Sequence, residues 1–599
     1  MLPVSRESWP QRIICLATVA DPDNSGDQGA VEELTLKSWH AIGLIRNGAN
    51  YALYRAARGF YKSSWWSGLE DIMRPRGSVW ICGYQITTDW ALMGVWDEIE
   101  KGALKLQTDN GYYAGAGTGA QAPAGTPYII CEDPPNIIRA WHVGTQKALT
   151  WVDLQNYGLR LPKSRNSGSD RAEQIVSAIR SVISAVQAAQ LGGLQATAAS
   201  QAMHGFRRSY LRSSIYVHNE PSALAIEDRA YYGGRCEAYY LGVVPRPLYH
   251  LDVHSMYAAV YGGAPLPVRL REVLRGRACR RADIFRLFPS SIATVRIRSE
   301  EPAYPVRRDH DTIYPIGEYR TTLCGPELLD AYQRGRLLRV YQLAHYDMED
   351  FLHEYANILY GCRQRAEREG CPGSALVLKR LLVSIAGKFG QRERRWIECS
   401  HHTADVQWGE WFGADPDGAP CRYRALAGHV CRDYSGGYGY DSSPAIAGWI
   451  TSAARVKLLN LIRVAGWGQV YYVDTDSLMV DEHGYDRIRA HPNSMGEQLG
   501  QCYTTGRPCC TEIRGIKYYI ENGQAVCAGL PAGGAAAVAA VGGFARELSV
   551  REQIRRGRKP IAQRIYIPYS RSTKYRHGIV TASGRVIPYR LGAKHGEAL

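Results

Sequence analysis

Tyr471-Tyr472-Val473-Asp474-Thr475-Asp476-Ser477-Leu478-Met479-Val480 places an apolar run on each side of two carboxylates. Strand side chains alternate between faces, so the stretch reads as a tight β-hairpin whose aspartates, two positions apart at the tip, point the same way. A tip of that kind would hold a divalent cation. Hard cations take oxygen ligands, keep several waters and need only one or two carboxylates when substrate phosphates supply the rest. An ordinary polar turn carries the same residues, and an isolated Asp-x-Asp is a weak signal.

Three further segments bear on that choice. Asp252 ends the apolar run Pro247-Leu248-Tyr249-His250-Leu251 and is followed by Ser255 and Tyr257. Lys379 opens a helical period that runs through Val383, Ser384 and Ala386 to Gly387. In Ile516-Lys517-Tyr518-Tyr519-Ile520 a lysine and an aromatic share one side of a strand. In this order the four segments resemble motifs A, B and C and the Lys-x-Tyr motif of family B DNA polymerases. The resemblance is strongest to the protein-primed polymerases of phages and linear plasmids. The family patterns are Asp-x-x-Ser-Leu-Tyr-Pro, Lys-x-x-x-Asn-Ser-x-Tyr-Gly and Tyr-x-Asp-Thr-Asp-Ser, and four matches in order are far more specific than one.

The resemblance implies an α/β multidomain fold, a right-hand polymerase of palm, fingers and thumb with an N-terminal ribonuclease-H-like exonuclease domain. It divides the chain into an exonuclease-like part (1–215), a linker with the start of the palm (216–267) and a palm insertion resembling the terminal-protein region (268–346). Fingers (347–392), palm with motif C and Lys-x-Tyr (393–522) and thumb (523–599) follow. A chain of 599 residues is long enough for several domains.

By the same resemblance, Asp252 and Asp476 are the catalytic carboxylates, with Asp474 in support. Asp252, the Val253 backbone and Asp476 would hold two Mg2+ ions, with Mn2+ as the alternative. Tyr257 would lie under the incoming sugar and collide with a 2′-hydroxyl. Arg363, Lys379 and Gly387 are assigned to the incoming nucleotide, Tyr232, Gly233 and Gly234 to the template, and Lys517 and Tyr519 to the primer. The implied partners are DNA template, primer and deoxynucleoside triphosphates, with a terminal priming protein as a further candidate. Motif B departs from its pattern at Val383, where Asn is usual, and at Ala386, where a Tyr covers the nascent base pair. Losing that ring forfeits about 1–3 kcal/mol of stacking, which points to low fidelity. His254 and Ala258 are departures within motif A that remove no metal ligand.

The N-terminal region reads as a damaged exonuclease. Leu16-Ala17-Thr18-Val19 stands where the family has Asp-x-Glu, so Ala17 and Val19 occupy the places of two metal ligands. Asp89 survives from the second motif, with Gln85 before it in place of Asn, and Asp170 from the third without its Tyr. Two aspartates hold two divalent ions poorly, and the expectation is no proofreading. Asp21 or Asp23 could substitute, although Asp21-Pro22-Asp23 is better explained as the turn ending the strand. Asp153 and Asn156 are read as structural.

The formal charge of +15, from 72 Lys and Arg against 57 Asp and Glu, favours an anionic partner such as a phosphate backbone. Fifteen scattered cysteines suit a reducing cytoplasm of a bacterial, phage or plasmid host. Cys399, His401, His402, Cys421 and Cys431 lack the close ligand pair of a structural zinc site. Neither Ile13 to Ala20 nor Gly533 to Ala545 is long enough to cross a bilayer, and no membrane association is expected. Two other functions remain in play: a catalytically silent nucleic-acid-binding scaffold, and an Asp-x-Asp glycosyltransferase, which leaves Asp252, Lys379 and Lys517 unexplained.

Overall fold

Two of the four motif segments, those of Asp252 and of the Asp474–Asp476 hairpin, share a five-stranded antiparallel sheet. Its order is Cys502–Thr504, Tyr249–Val253, Ser477–Val480, Val470–Asp474 and Cys236–Ala238. The computed structural model describes residues 12–22, 31–47, 50–59, 79–83, 104–106, 130–131, 137–142, 147–159 and, with short gaps, 168–592. Alternation sorts the hairpin's side chains. Val473, Leu478 and Val480 pack with Leu251 and Leu458 in one core, while Met479 joins Leu248 and Ile513 in another. Tyr471 and Tyr472 both enter the second core, which strict alternation forbids; a register shift between Val470 and Tyr472 allows it.

Helix Pro444–Ala465 covers the first core. It starts at Ser443, whose hydroxyl accepts the Ile446 N–H, with Pro444 at the first helical position, and it stops at Gly466 with φ 91°. Among the described residues it is the one helix long and apolar enough to cross a bilayer, yet most of it is buried within the protein, as befits a core helix. Helices His353–Arg368 and Pro372–Phe389, in the stretch expected as fingers, pack on Gly168–Ala188 and Ala198–Gly205 through Ile179, Val182, Tyr355, Leu378 and Leu382.

The insertion is a sheet ordered Leu266–Arg275, Leu337–Glu349, Ser291–Ser299, Ile316–Cys324 and Arg590–Leu591. A buried ion pair fastens it to the palm. Glu327, on helix Gly325–Gln333, accepts from Arg455 at 2.8 Å, and each side chain is 2% exposed. Ser452 donates to the same carboxylate at 2.9 Å, and Arg455 Nη1 donates to the Gly233 carbonyl at 2.6 Å. Thr451 and Arg455 on helix Pro444–Ala465 are both buried.

Two features were not legible in the sequence. Residues 395–434, expected within the palm, form a separate four-stranded sheet ordered Arg395–Glu398, His429–Tyr434, Pro420–Leu426 and Trp408–Ala414. The C-terminal residues, expected as the thumb, give strands to sheets built mainly from earlier parts of the chain. Gln563–Pro568 pairs with Val31–Asn47 of the N-terminal sheet, and Arg590–Leu591 closes the insertion sheet. Pairings this distant along the chain leave no local periodic signal. Arginines near the C-terminus are engaged within the protein: Arg555 pairs with Glu410 at 3.1 Å and Arg556 with Glu552 at 3.2 Å.

Removing one partner of a buried ion pair strands the other charge. Glu327→Ala should therefore destabilise the protein by ~3–5 kcal/mol, read as a lowered urea midpoint, whereas Glu300→Ala, which removes one partner of an exposed pair, should leave the midpoint essentially unchanged. Equal midpoints for the two variants would remove the insertion–palm fastening from this account.

Candidate active site

The hairpin tip is shaped by one residue. Thr475 takes φ 60°, its N–H donates to the Arg235 carbonyl at 2.7 Å, and the Asp476 N–H turns back on the Asp474 carbonyl at 2.6 Å. A left-handed residue between the two aspartates breaks strand alternation, so they do not act as the expected pair on one face. Asp474 accepts from Lys517 Nζ at 2.6 Å and from the Cys236 thiol at 3.0 Å, with Tyr472 OH at 3.4 Å. Asp476 faces Asp252 instead. Strand Tyr249–Val253 lies antiparallel to Ser477–Val480 with Asp252 opposite Ser477, and the Val253 N–H donates to the Asp476 carbonyl at 2.8 Å.

This pairing has an electrostatic signature. Burial, and then the neighbouring Asp252 charge, push the Asp476 carboxyl up to about 6, with Lys379 acting in the opposite sense. Asp252 Oδ2 accepts from Tyr503 OH at 3.0 Å, while its Oδ1 is buried with no hydrogen-bond partner. Two adjacent carboxylates, one with an orphaned oxygen, are a donor set completed by a hard cation, and Asp252, Asp476 and the Val253 carbonyl are the residues that could hold it. Among the described residues no group of three His, Cys, Asp or Glu forms a ready-made cage. Asp474, expected in support, is occupied by Lys517.

The remaining expected residues surround this pair. Tyr257, on helix Met256–Tyr261, is half-buried; burial and then Asp476 raise its hydroxyl to about 12. Arg363 Nη1 donates to Ser255 Oγ at 3.0 Å and its Nε pairs with Glu367 at 2.9 Å, which puts the guanidinium beside motif A. On helix Pro372–Phe389, Lys379, Val383 and Gly387 recur every four residues on the side away from the core. Lys379 lines a cavity of about 440 Å3 with Gln155, Gly158 and Arg380. A Cβ at Gly387 would meet nothing within 4 Å, whereas Ala386 is buried in the fingers core and does not open onto that face.

The Gly-Gly element has a packing reason of its own. Gly233 has φ 81° and Gly234 sits so close to the hairpin that a Cβ would lie 2.8 Å from Thr475. Tyr232 donates or accepts at Thr321 Oγ1 at 3.1 Å, and its ring lies 5.5 Å from both Arg307 and Arg455. Lys517, expected on a strand, has φ 57° and occupies the turn between Thr511–Gly515 and Tyr518–Glu521. Its N–H donates to Tyr472 OH at 2.7 Å, and Tyr519 packs on Tyr472 with ring centroids 5.5 Å apart.

Several participants escaped the sequence reading. Tyr503 holds Asp252 and is stacked on His254 with centroids 4.1 Å apart; burial and Arg363 lower the His254 pKa. Cys236 sits against Asp474, with burial pushing its thiol up to about 11. Arg235, fully buried, pairs with Glu237 at 2.6 Å and stacks over Tyr314 at 4.0 Å. Only Arg235 had a signal, as a cation directly after the Gly-Gly pair.

In the N-terminal sheet, strand Arg12–Pro22 runs parallel to Val79–Gly83, which runs parallel to Lys147–Asp153. Ala17 and Val19 lie on the first strand opposite His40 and Ser38, and that strand includes Asp21 and Pro22, expected in the turn beyond it. Asp153 caps the turn Leu154–Tyr157 by accepting from the Gln155 N–H at 2.8 Å. Asp23 and Asp89, and the side chain of Asp170, lie outside the described residues.

A family model for organellar and viral DNA polymerase type B matches residues 192–398. No curated protein matches the sequence. In three dimensions the chain is similar to phi29 DNA polymerase complexed with primer-template DNA in the post-translocation binary complex, at TM-score 0.58 and 13% identity, covering 90% of this chain and 96% of that one. It is similar to the same polymerase complexed with single-stranded DNA at TM-score 0.59 and 13% identity, with 90% and 96% covered. The ternary complex with incoming nucleotide substrates gives TM-score 0.56 and 11% identity, with 90% and 97% covered. The fold is thus the right-hand polymerase with an exonuclease-type domain. Residues 192–398 thus match the organellar and viral type B DNA polymerase family, and the fold of the chain is similar to that of phi29 DNA polymerase.

The raised Asp476 pKa gives a stability test with a defined sign. A carboxyl at about 6 in the folded state and about 3.8 in the unfolded state lowers stability as pH climbs through that interval, by up to ~3 kcal/mol above it. In chelator, Asp476→Asn should therefore be more stable than the parent above pH 6 and equal to it below about pH 4. Magnesium should raise the parent's melting temperature at pH 7.5 and leave that of the variant unchanged. A pH-independent difference would contradict the Asp252–Asp476 pairing.

Proposed function

We propose that this chain extends a DNA 3′-hydroxyl with deoxynucleotides by two-metal nucleotidyl transfer and does not proofread. The observation that carries the reading is the Asp252–Asp476 pair, joined across two strands and left with an unpartnered buried oxygen. The phi29 structures, complexed with primer-template DNA and incoming nucleotide, support template, primer and deoxynucleoside triphosphate as the partners. Bound divalent ions, magnesium or manganese, would supply the charge that favours an ionised primer 3′-oxygen and steadies the departing pyrophosphate.

The chain's own residues supply position and selection. Arg363, anchored on Ser255, and Lys379 are the cations nearest the carboxylates from the fingers side and would receive triphosphate oxygens. Tyr257 would exclude a 2′-hydroxyl. Lys517 keeps Asp474 neutralised and fixes the turn that would meet the primer strand. Asn-to-Val and Tyr-to-Ala departures at 383 and 386 favour low fidelity, and the absence of carboxylates at 17 and 19 favours loss of exonuclease activity. A terminal priming protein, if used, would engage residues 268–346.

Primer extension tests the reading. Asp252→Ala and Asp476→Ala should each lower extension at least about a thousandfold while the parent extends a primed template, and Tyr257→Val should incorporate ribonucleotides that the parent rejects. With nucleotides withheld, a 3′-labelled strand should stay full length in magnesium or manganese. Extension by the double alanine variant would refute the site, and shortening of the label would refute the loss of proofreading.

A further inference from the structure

A second basic concavity lies apart from the carboxylates. A cavity of about 870 Å3 opens between the insertion sheet and the chain's last strand, lined by Arg229, Arg307, Arg308, Arg320, Tyr232 and Tyr589 among others. Arg229 comes from the last turn of helix Pro221–Ala230, Arg307 and Arg308 from strand Val306–Arg308, and Arg320 from strand Ile316–Cys324. All four are exposed, and among the described residues none is paired with a carboxylate. Their neighbours behave differently. Arg296 and Arg298 share Glu318, Arg336 takes Glu301, and Arg590 takes Glu300. On the cavity wall itself Asp309 is the single acidic residue among those described.

Converging cations without counter-charges repel one another and make a field that gathers anions. The guanidinium fork fits phosphate oxygens two at a time. Three of these forks are steadied on tyrosine rings, Arg307 over Tyr232 at 5.5 Å, Arg308 over Tyr589 at 5.0 Å and Arg320 over Tyr341 at 4.5 Å. The floor carries hydroxyls: Thr294 and Thr322 are bonded to each other at 3.1 Å and buried. Cations spread over a helix and two strands suit a series of phosphates better than one anion. The volume is that of a small-ligand pocket, with room for one or two nucleotides at a time and none for a duplex. The cavity also connects to the reaction centre through the backbone. Tyr232 on its wall is followed by Gly233, held by Arg455, and by Gly234, packed under Thr475 beside Asp476.

We propose that this cavity holds one or two nucleotides of a single-stranded DNA at a time, their phosphates shared among Arg229, Arg307, Arg308 and Arg320. The inference goes beyond the polymerase reading, and its test requires neither metal nor synthesis, so a protein unable to extend DNA can still pass or fail it. In the full chain, Arg308→Ala with Arg320→Ala should weaken binding of a fluorescein-labelled oligothymidylate about tenfold by anisotropy. The plot of log affinity against log salt should become shallower by about 1.4, about 0.7 for each lost phosphate contact. The lysine pair, Arg308→Lys with Arg320→Lys, should recover most of that slope, which separates lost charge from a folding defect. Arg281→Ala with Arg286→Ala, on the same insertion but off the cavity, should alter neither quantity. Parental affinity and slope in the first variant, or an equal loss in the Arg281 and Arg286 control, would overturn the proposal. So would a defect confined to labelled deoxyadenosine triphosphate with the oligonucleotide unaffected, because the phosphates would then belong to a free nucleotide.

Discussion

The hydrogen bond from the Val253 N–H to the Asp476 carbonyl is the constraint on which the site rests. It ties the end of one strand to the turn of a hairpin more than two hundred residues away, and so sets two carboxylates side by side in a half-buried place. Burial, and then the repulsion of the Asp252 charge, raise the Asp476 pKa there. The sheet withstands the repulsion because both strands are locked by apolar packing, Leu251 and Val253 on one and Leu478 and Val480 on the other. Binding of a divalent cation would relieve it.

Around that bond the structure assigns separate tasks to residues that look equivalent in sequence. Asp474 and Asp476 differ because Thr475 between them is left-handed, which sends one carboxylate to Lys517 and the other to Asp252. Tyr503 fixes one oxygen of Asp252 and leaves the other free of partners. Gly233 and Gly234 serve the hairpin before any ligand: one carbonyl anchors Arg455, and the missing Cβ makes room for Thr475. Through Arg455 and Glu327 the same element is coupled to the insertion, so the reaction centre and the arginine-lined cavity share a framework.

The electrostatics divide in the same way. Much of the protein's surplus positive charge is neutralised locally, in the buried pairs of Arg235, Arg424 and Arg463 with neighbouring acids. Lys379 on helix Pro372–Phe389 and the four arginines of the cavity are among the described cations without a carboxylate partner. Net charge alone suggested an anionic partner; only the pairing pattern distinguishes charges that hold the fold from charges left for a ligand.

The sequence by itself determined the local elements and the identities of the acids. The apolar runs around Asp474 are a short-range pattern, and they form the hairpin they predict. It also showed that Ala17 and Val19 bring no carboxylate to their strand. The tertiary structure alone decided which acids meet. It decided as well that residues 395–434 make their own sheet, and that the last strands return to pair with Val31–Asn47 and Ile316–Cys324. The physical reason is one of range. Side-chain periodicity reports what a residue does to its neighbours within a turn or two, whereas strand pairing, buried charge pairs and a positive φ at Thr475 or Lys517 are fixed by partners far along the chain.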